Sequence, residues 1–162
     1  MITDSDLMHL KRCIELAKVA LESGDQPFGS VLVAADGHVL REERNHVGDG
    51  DHTKHPEFAL ARWAAEHMTL EEIEKATVFT SGEHCPMCAA AHGWVGLGRI
   101  VYVSSSEQLV QWLTEFGVDV SQSRVRSLPI QDVIRNTRVD GPVPELAEQV
   151  RELYRQFYMR IS

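Results

Sequence analysis

The sequence predicts an α/β fold, a three-layer α/β/α sandwich around a central mixed sheet of about five strands. Two observations support this prediction. Helical and extended hydrophobic patterns alternate in the order helix, hairpin, helix, strand, helix, strand, helix, which is typical of a sheet covered by helices. The chain has 162 residues, enough for one domain with a complete core, and it shows no internal repeat or linker. We therefore expect a single domain over residues 1–162.

The first third of the chain predicts a helix followed by a hairpin. Residues 4–23 carry a broad apolar stripe at helical spacing. The period then changes, and residues 31–33 form a strand. Asp36-Gly37 is a hairpin turn signal, and the return strand begins at Val39. Residues 45–54 are polar and rich in Gly, Asp and His, so they predict a loop.

The rest of the chain alternates helices with short strands. The expected elements are a helix over 56–67, a capped helical turn over 69–75, a strand over 77–80, a helix from residue 86, a strand over 100–103, a helix over 107–116, a strand around 125–130 and a helix over 144–161. Two of these helices begin with proline, at Pro56 and Pro86, where the missing N–H costs nothing. The last helix places its apolar and aromatic residues on one face.

Composition and charge exclude several classes of function. No apolar run approaches the roughly 18 residues that a membrane span needs. The first residues are acidic and helical in pattern, unlike a signal peptide, so we expect a cytoplasmic protein with no membrane contact. The formal net charge is −8. A protein that grips nucleic acid neutralises phosphates with Lys and Arg, so this charge favours a small-molecule partner over nucleic acid.

Two of the three cysteines are spaced for metal binding. An odd count in a cytosolic protein argues against a disulfide framework. Cys13 lies on the apolar face of the first helix and is explained as a small buried hydrophobe. Cys85 and Cys88 face the same side of one helical turn, and the helix N-terminus favours their thiolate forms. Alone, this pair leaves a metal site, a redox Cys-x-x-Cys and two core cysteines all open.

A His-Pro-Glu stretch at another helix start favours the metal. His55 with two thiolates balances the charge of Zn²⁺ and leaves the fourth coordination position open, as in catalytic sites. Zinc lowers the pKa of a bound water from about 15.7 to about 7. Glu57, in the same turn as His55, is placed to exchange a proton with that water without binding the metal. His52, His84 or His92 could instead close the site as a fourth ligand.

The combined motif resembles the cytidine deaminase superfamily of zinc-dependent deaminases. Its signature is His-x-Glu followed by Cys-x-x-Cys, each opening a helix. Here these motifs occupy residues 55–57 and 85–88. Residues 27–33, Pro-Phe-Gly-Ser-Val-Leu-Val, resemble the first strand of guanine and tRNA adenosine deaminases, and residues 80–88 resemble their metal-site stretch. Guanine deaminase-like and cytosine deaminase-like members are the most similar.

The resemblance implies a function and a set of site residues. It implies hydrolytic removal of an exocyclic amino group, as ammonia, from a free nucleobase or related heterocycle: a guanine-like purine, a cytosine-like or isocytosine-like pyrimidine, or a triazine. It further implies a homodimer, and a C-terminal helix over about 144–161 that caps the active site. The implied residues are His55, Cys85 and Cys88 for one Zn²⁺ per chain, Glu57 as the proton shuttle, and Asn45, Phe28 and Pro56 for substrate binding.

Two residues depart from the pattern of this family. The middle residue of His-x-Glu is usually Ala, whose N–H donates to a substrate carbonyl, but Pro56 has no N–H. The residue before Cys85 is usually Pro and here is His84, which is either an ordinary loop residue or a contact of the zinc ligands. The alternatives left open are a tRNA adenosine or nucleoside deaminase, a zinc module without catalysis, and a redox protein.

Overall fold

The structure, a computed structural model, describes residues 1–160. Ile161, the expected end of the last helix, lies outside the described residues. The helices and strands are α1 (Asp4–Glu22), β1 (Gly29–Val33), β2 (Val39–Arg44), α2 (Pro56–His67), α3 (Leu70–Lys75), β3 (Thr77–Gly82), α4 (Pro86–Val95), β4 (Ile100–Ser104), α5 (Ser106–Glu115), β5 (Val139–Asp140) and α6 (Pro144–Arg160).

The five strands form one mixed sheet in the order β2-β1-β3-β4-β5. β1 pairs antiparallel with both β2 and β3, whereas β3, β4 and β5 run parallel. The helix α4 connects the parallel strands β3 and β4, since such a pair cannot be joined by a tight turn. The predicted α/β fold with a mixed five-stranded sheet is confirmed.

Helices cover both faces of this sheet. One face packs against α1, α5 and α6, and its strand residues include Val31, Phe79 and Val103. The other face packs against α2 and the end of α3, through Leu32 and Val78. Successive strand residues point to opposite faces, so each strand contributes to both layers. Ser30 and Thr80, at positions of the α2 face, are polar and fully buried.

Local sequence signals set several element boundaries. Thr69 and Glu72 form the predicted capping box of α3, with reciprocal bonds of 3.2 and 2.9 Å. Gly37 turns the hairpin at φ +92°, a conformation that favours glycine. α1 has 19 residues and α6 has 17, and both carry charges along their outer faces. No helix among residues 1–160 is long and apolar enough to span a membrane.

The strand predicted around residues 125–130 is wrong. This stretch contains no strand, and the segment has short 3-10 turns at Val120–Gln122 and Ile130–Asp132. Val125 and Leu128 are exposed, so the stretch presents no alternating buried face to a sheet. The free side of β4 pairs instead with Val139–Asp140, a two-residue strand too short to give a periodic signal.

Candidate active site

The N-termini of α2 and α4 bring three metal-ligating side chains together. His55 and Cys85 immediately precede these helices, and Cys88 lies in the first turn of α4. His55 Nδ1 is 3.5 Å from Cys85 Sγ and 3.6 Å from Cys88 Sγ. A tetrahedral zinc with Zn–S of about 2.3 Å and Zn–N of about 2.0 Å holds such atoms about 3.5 Å apart. The donor set and its spacing therefore fit zinc.

None of the other histidines joins this cluster as a fourth ligand. Among residues 1–160, no other group of three or more His, Cys, Asp or Glu side chains is close enough to hold a metal. His84 is buried and meets the ring of His92 edge-on at 5.4 Å, and His92 Nε2 contacts the Gly98 carbonyl at 2.8 Å. His84 Nδ1 has no hydrogen-bond partner within the described chain. The fourth coordination position is therefore left to a water or substrate.

The two thiols differ in their protonation. Hydrogen bonds from Cys88 and from His55 lower the pKa of Cys85 to about 4, so Cys85 is a thiolate at neutral pH. The backbone N–H of Cys88 also donates to Cys85 Sγ, at 3.5 Å. The hydrogen bond to Cys85 and burial raise the pKa of Cys88. Zinc binding therefore has to displace the Cys88 proton, which makes the affinity fall with falling pH.

The Glu57 carboxylate is fixed against the sheet on one side. Its Oε1 accepts hydrogen bonds from Thr80 Oγ1 at 2.8 Å and from Ser30 Oγ at 3.0 Å. Oε2 accepts from no hydroxyl or N–H group within 1–160, and the carboxylate also contacts the Cys88 thiol, so it is directed at the ligand cluster. Glu57 is 6% exposed, and burial raises its pKa. A carboxylate whose pKa is raised beside an open metal position is suited to take up and return a proton.

Phe28 immediately precedes β1 and Asn45 immediately follows β2, so the two residues lie side by side at the open end of this hairpin. The N–H of Asn45 donates to the Phe28 carbonyl at 3.1 Å. The Asn45 side chain is buried, and its Oδ1 accepts the N–H of Val47 at 2.9 Å. Because a backbone N–H bonds only to an acceptor, the amide orientation is unambiguous, and the Nδ2 donor faces away from Val47.

The last helix supports the Phe28 side of this region. The Tyr154 ring, in α6, lies 5.2 Å from the Phe28 ring. Both approach the end of β3 so closely that a Cβ at Gly82 would lie 2.7 Å from Tyr154 Oη and 3.1 Å from Phe28. Tyr154 is fully buried, so it packs behind Phe28 in the core. Pro56 is the first residue of α2 and is also buried.

The structure adds residues that the sequence analysis did not identify. Ser30 and Thr80 bind Glu57, and their hydroxyl oxygens are 2.8 Å apart. The available signal was a polar residue next to apolar residues in each of the two strands. Glu83 bridges distant segments, because it accepts from the N–H groups of Ser106 and Ile130 at 2.8 and 2.7 Å. No local pattern indicated that bridge, since it joins residues far apart in sequence.

Comparison with known proteins matches most of this chain to zinc-dependent deaminases. A family model described as the cytidine and deoxycytidylate deaminase zinc-binding region matches residues 3–104. A probable cytosine deaminase of Schizosaccharomyces pombe is 32% identical over 116 residues, which are 72% of this chain and 70% of that protein. A tRNA-specific adenosine deaminase of Agrobacterium fabrum is 36% identical over 87 residues, 53% of this chain and 57% of the relative.

The fold agrees with a solved structure as well. A guanine deaminase from Nitrosomonas europaea superposes with a TM-score of 0.71 at 17% sequence identity, covering 98% of this chain and 86% of that one. The matched family region contains the three clustered ligands and Glu57. The chain belongs to the cytidine and deoxycytidylate deaminase zinc-binding family.

Proposed function

We propose that this deaminase hydrolyses a free nucleobase or a similar small aminated heterocycle, with His55, Cys85 and Cys88 as zinc ligands and Glu57 as the proton shuttle. The observation that carries the proposal is Glu57 itself. Its carboxylate is buried and anchored through one oxygen, next to a three-ligand cluster with an open position. A zinc site that only stabilises the fold has no use for this carboxylate, and a redox pair has no use for His55.

The proton path follows from the two oxygens of Glu57. A zinc ion held by His55, Cys85 and Cys88 would supply a water that is a strong nucleophile at neutral pH. Ser30 and Thr80 hold Oε1, so Oε2 would take a proton from the water. The water oxygen would at the same time attack the ring carbon that carries the amino group. Glu57 then returns the proton to the exocyclic nitrogen. The carbon–nitrogen bond breaks and ammonia leaves. The ring keeps the water oxygen as a carbonyl, and the second water proton ends on the adjacent ring nitrogen.

Substrate binding is assigned to Asn45, Phe28 and Pro56. With Oδ1 of Asn45 occupied by Val47, its Nδ2 is left to donate to a ring nitrogen or carbonyl oxygen. The half-buried Phe28 ring offers an apolar wall backed by Tyr154, so α6 closes this side from behind. A groove of about 580 Å³ between β2 and α2 has His55 in its wall. We assign all these residues to a single catalytic domain.

An ammonia-release screen tests this proposal directly. Purine, pyrimidine and triazine bases, together with their nucleosides, are incubated with protein whose zinc content is measured. We expect one zinc per chain and turnover of at least one free base. A zinc-loaded protein that releases no ammonia from any of these compounds contradicts the proposal and favours a zinc module without catalysis.

A tRNA adenosine deaminase is the second candidate, favoured by the 36% identity to the Agrobacterium fabrum enzyme. The net charge of −8 weighs against it, since tRNA binding relies on contacts with phosphates. Binding to a tRNA anticodon stem-loop, measured from low to high salt, separates the two candidates. Tight binding that falls steeply with salt, with adenosine deamination in that RNA, would favour the tRNA enzyme.

Pro56 is expected to set the ranking among substrates. Proline has no N–H at the start of α2. A buried substrate carbonyl left without that donor loses about 1–3 kcal/mol of binding free energy. We predict that Pro56→Ala increases kcat/KM about tenfold or more for heterocycles with a carbonyl at this position, relative to those without one. The measurement is kcat/KM for a panel of bases with both proteins. An unchanged ranking means that Pro56 does not select the substrate.

A homodimer through the outer face of α4 is the expected assembly. α4 contains no charged residue, and Trp94 near its end is 90% exposed. A helix face of this kind is typical of a protein interface. We predict that Trp94→Glu converts a dimer into a monomer in light scattering. Leu70→Glu, at another exposed apolar residue, is the control and should leave the mass unchanged. A monomeric wild-type protein, or a Trp94 variant that stays dimeric, contradicts this interface.

A further inference from the structure

Asp25 follows α1 and fastens the loop that contains Asn45. Its Oδ1 accepts the N–H of Gly48, and its Oδ2 accepts from Arg44 Nη1, both at 2.7 Å. The same Nη1 donates to the backbone carbonyl of Asn45 at 3.0 Å. One carboxylate therefore holds the residue before Asn45 and the residue three positions after it.

The orientation of the Asn45 amide depends on this loop. Its Oδ1 bonds to the N–H of Val47, which lies between Asn45 and the residue that Asp25 holds, Gly48. Nδ2 makes no hydrogen bond to any residue within 1–160, although Asn45 is only 1% exposed. Because Nδ2 has no acceptor within the described chain, it is available to donate to a ligand. A loop free to move would misdirect this donor.

Stability alone is a weak explanation for Asp25. The pair of Asp25 with Arg44 is largely buried, with side-chain exposures of 8% and 24%. Desolvation of such a pair offsets most of its Coulomb attraction. The packing is also specific, because a Cβ on Gly48 would lie 2.5 Å from Asp25 Oδ1. A side chain at 48 would therefore displace this carboxylate oxygen.

We propose that Asp25 is a positioning residue for substrate binding, which holds Asn45 so that Nδ2 donates to a ring nitrogen or carbonyl oxygen of the heterocycle. The proposal rests on the deaminase function proposed above. Asp25 touches no substrate in this account and acts through Arg44 and Gly48. It should therefore control KM, whereas proton transfer at Glu57 should be little affected.

The first test replaces Asp25 with Asn, which keeps the size of the side chain but removes the charge that pairs with Arg44. We expect KM to rise about tenfold, with kcat changed by less than about threefold. Asp6→Asn is the matched control. Asp6 is equally buried and accepts from Arg99 and from the Thr3 N–H, but it pairs with the residue before β4, at the opposite end of that strand from the active site. It should leave KM unchanged.

The second test asks whether Asp25 acts through Asn45. In an Asn45→Ala background, Asp25→Asn should add no further rise in KM, because the donor that Asp25 positions is gone. Gly48→Ala disturbs the same contact from the other side and should raise KM as Asp25→Asn does. An equal rise of KM in both backgrounds, or a loss confined to kcat, would overturn the proposal.

A third readout does not depend on turnover. Hydrogen exchange at the Val47 and Gly48 amides should become faster in Asp25→Asn and stay unchanged in Asp6→Asn. If the wild-type protein deaminates no heterocycle, the substrate assignment fails, and this exchange still decides whether Asp25 holds the loop. Unchanged exchange at both amides would overturn the proposal whatever the substrate is.

Discussion

Glu57→Gln is expected to reduce kcat for ammonia release by about 10²- to 10⁴-fold while zinc stays at one per chain. The amide cannot accept a proton from water, and it cannot return one to the leaving nitrogen. Its oxygen can still accept from Ser30 and Thr80, which bond Oε1 at 3.0 and 2.8 Å in the wild-type protein. The substitution therefore removes the proton chemistry without opening a cavity.

The melting temperature distinguishes loss of the proton shuttle from misfolding of the variant. Burial raises the pKa of Glu57, which means that the ionised carboxylate is disfavoured in the folded state. Replacing it with a neutral amide should leave the melting temperature unchanged or raise it. The control is Glu74→Gln, at an exposed carboxylate on α3, which should keep full activity. A Glu57→Gln protein that retains zinc and normal turnover would exclude Glu57 as the proton shuttle.

The sequence predicted the metal cluster because its signals are local. His55 and Cys85 each precede a proline that starts a helix, and Cys88 follows one turn later. These short-range patterns fix where each ligand points relative to its own helix. That the two helix starts meet is a tertiary fact, and it followed only from the resemblance to a known family. The structure places the three ligand atoms within 4.8 Å of one another.

The groups that tune the site could not be predicted in this way. Ser30 reaches Glu57 only because β1 and β3 are neighbours in a register that sets Ser30 opposite Thr80. Asp25 reaches Gly48 across a hairpin. Such contacts depend on pairing between distant segments, which hydrophobic periodicity does not encode. The same limit explains β5, whose two residues pair with β4 after a long irregular segment.

Irregular segments were the other source of error. The strand expected around residues 125–130 rested on three apolar residues in a polar stretch, and two of them, Val125 and Leu128, are exposed. The third, Ile130, is buried in a small apolar cluster with Ile100, and its N–H is held by Glu83, in the loop that leads to Cys85. The metal-site loop thus fixes a segment whose own sequence carries no periodic signal. This dependence could be read only from the folded chain.

Cys88→Ala is expected to abolish zinc binding and activity together. Two ligands, His55 and Cys85, then remain, and no other described histidine or cysteine is close enough to replace the third. Cys13→Ala is a matched control, because both cysteines are fully buried and lose the same atom. Cys13 belongs to α1 and lies in the core on the other side of the sheet from α2, so its variant should keep one zinc per chain and its activity, with some loss of stability from the cavity.

A chelator distinguishes the loss of zinc expected in Cys88→Ala from the core cavity expected in Cys13→Ala. Zinc that binds only the folded chain stabilises it by about 4 kcal/mol when free zinc is a thousandfold above its Kd. For a chain of this size that corresponds to a fall in Tm of roughly 10 °C when the metal is removed. We expect the chelator to lower Tm in the wild-type and Cys13→Ala proteins and to leave Cys88→Ala unchanged, since that variant has no zinc to lose. A Cys88→Ala protein that still carries zinc, and still responds to the chelator, would show that the ligand set is not the one assigned here.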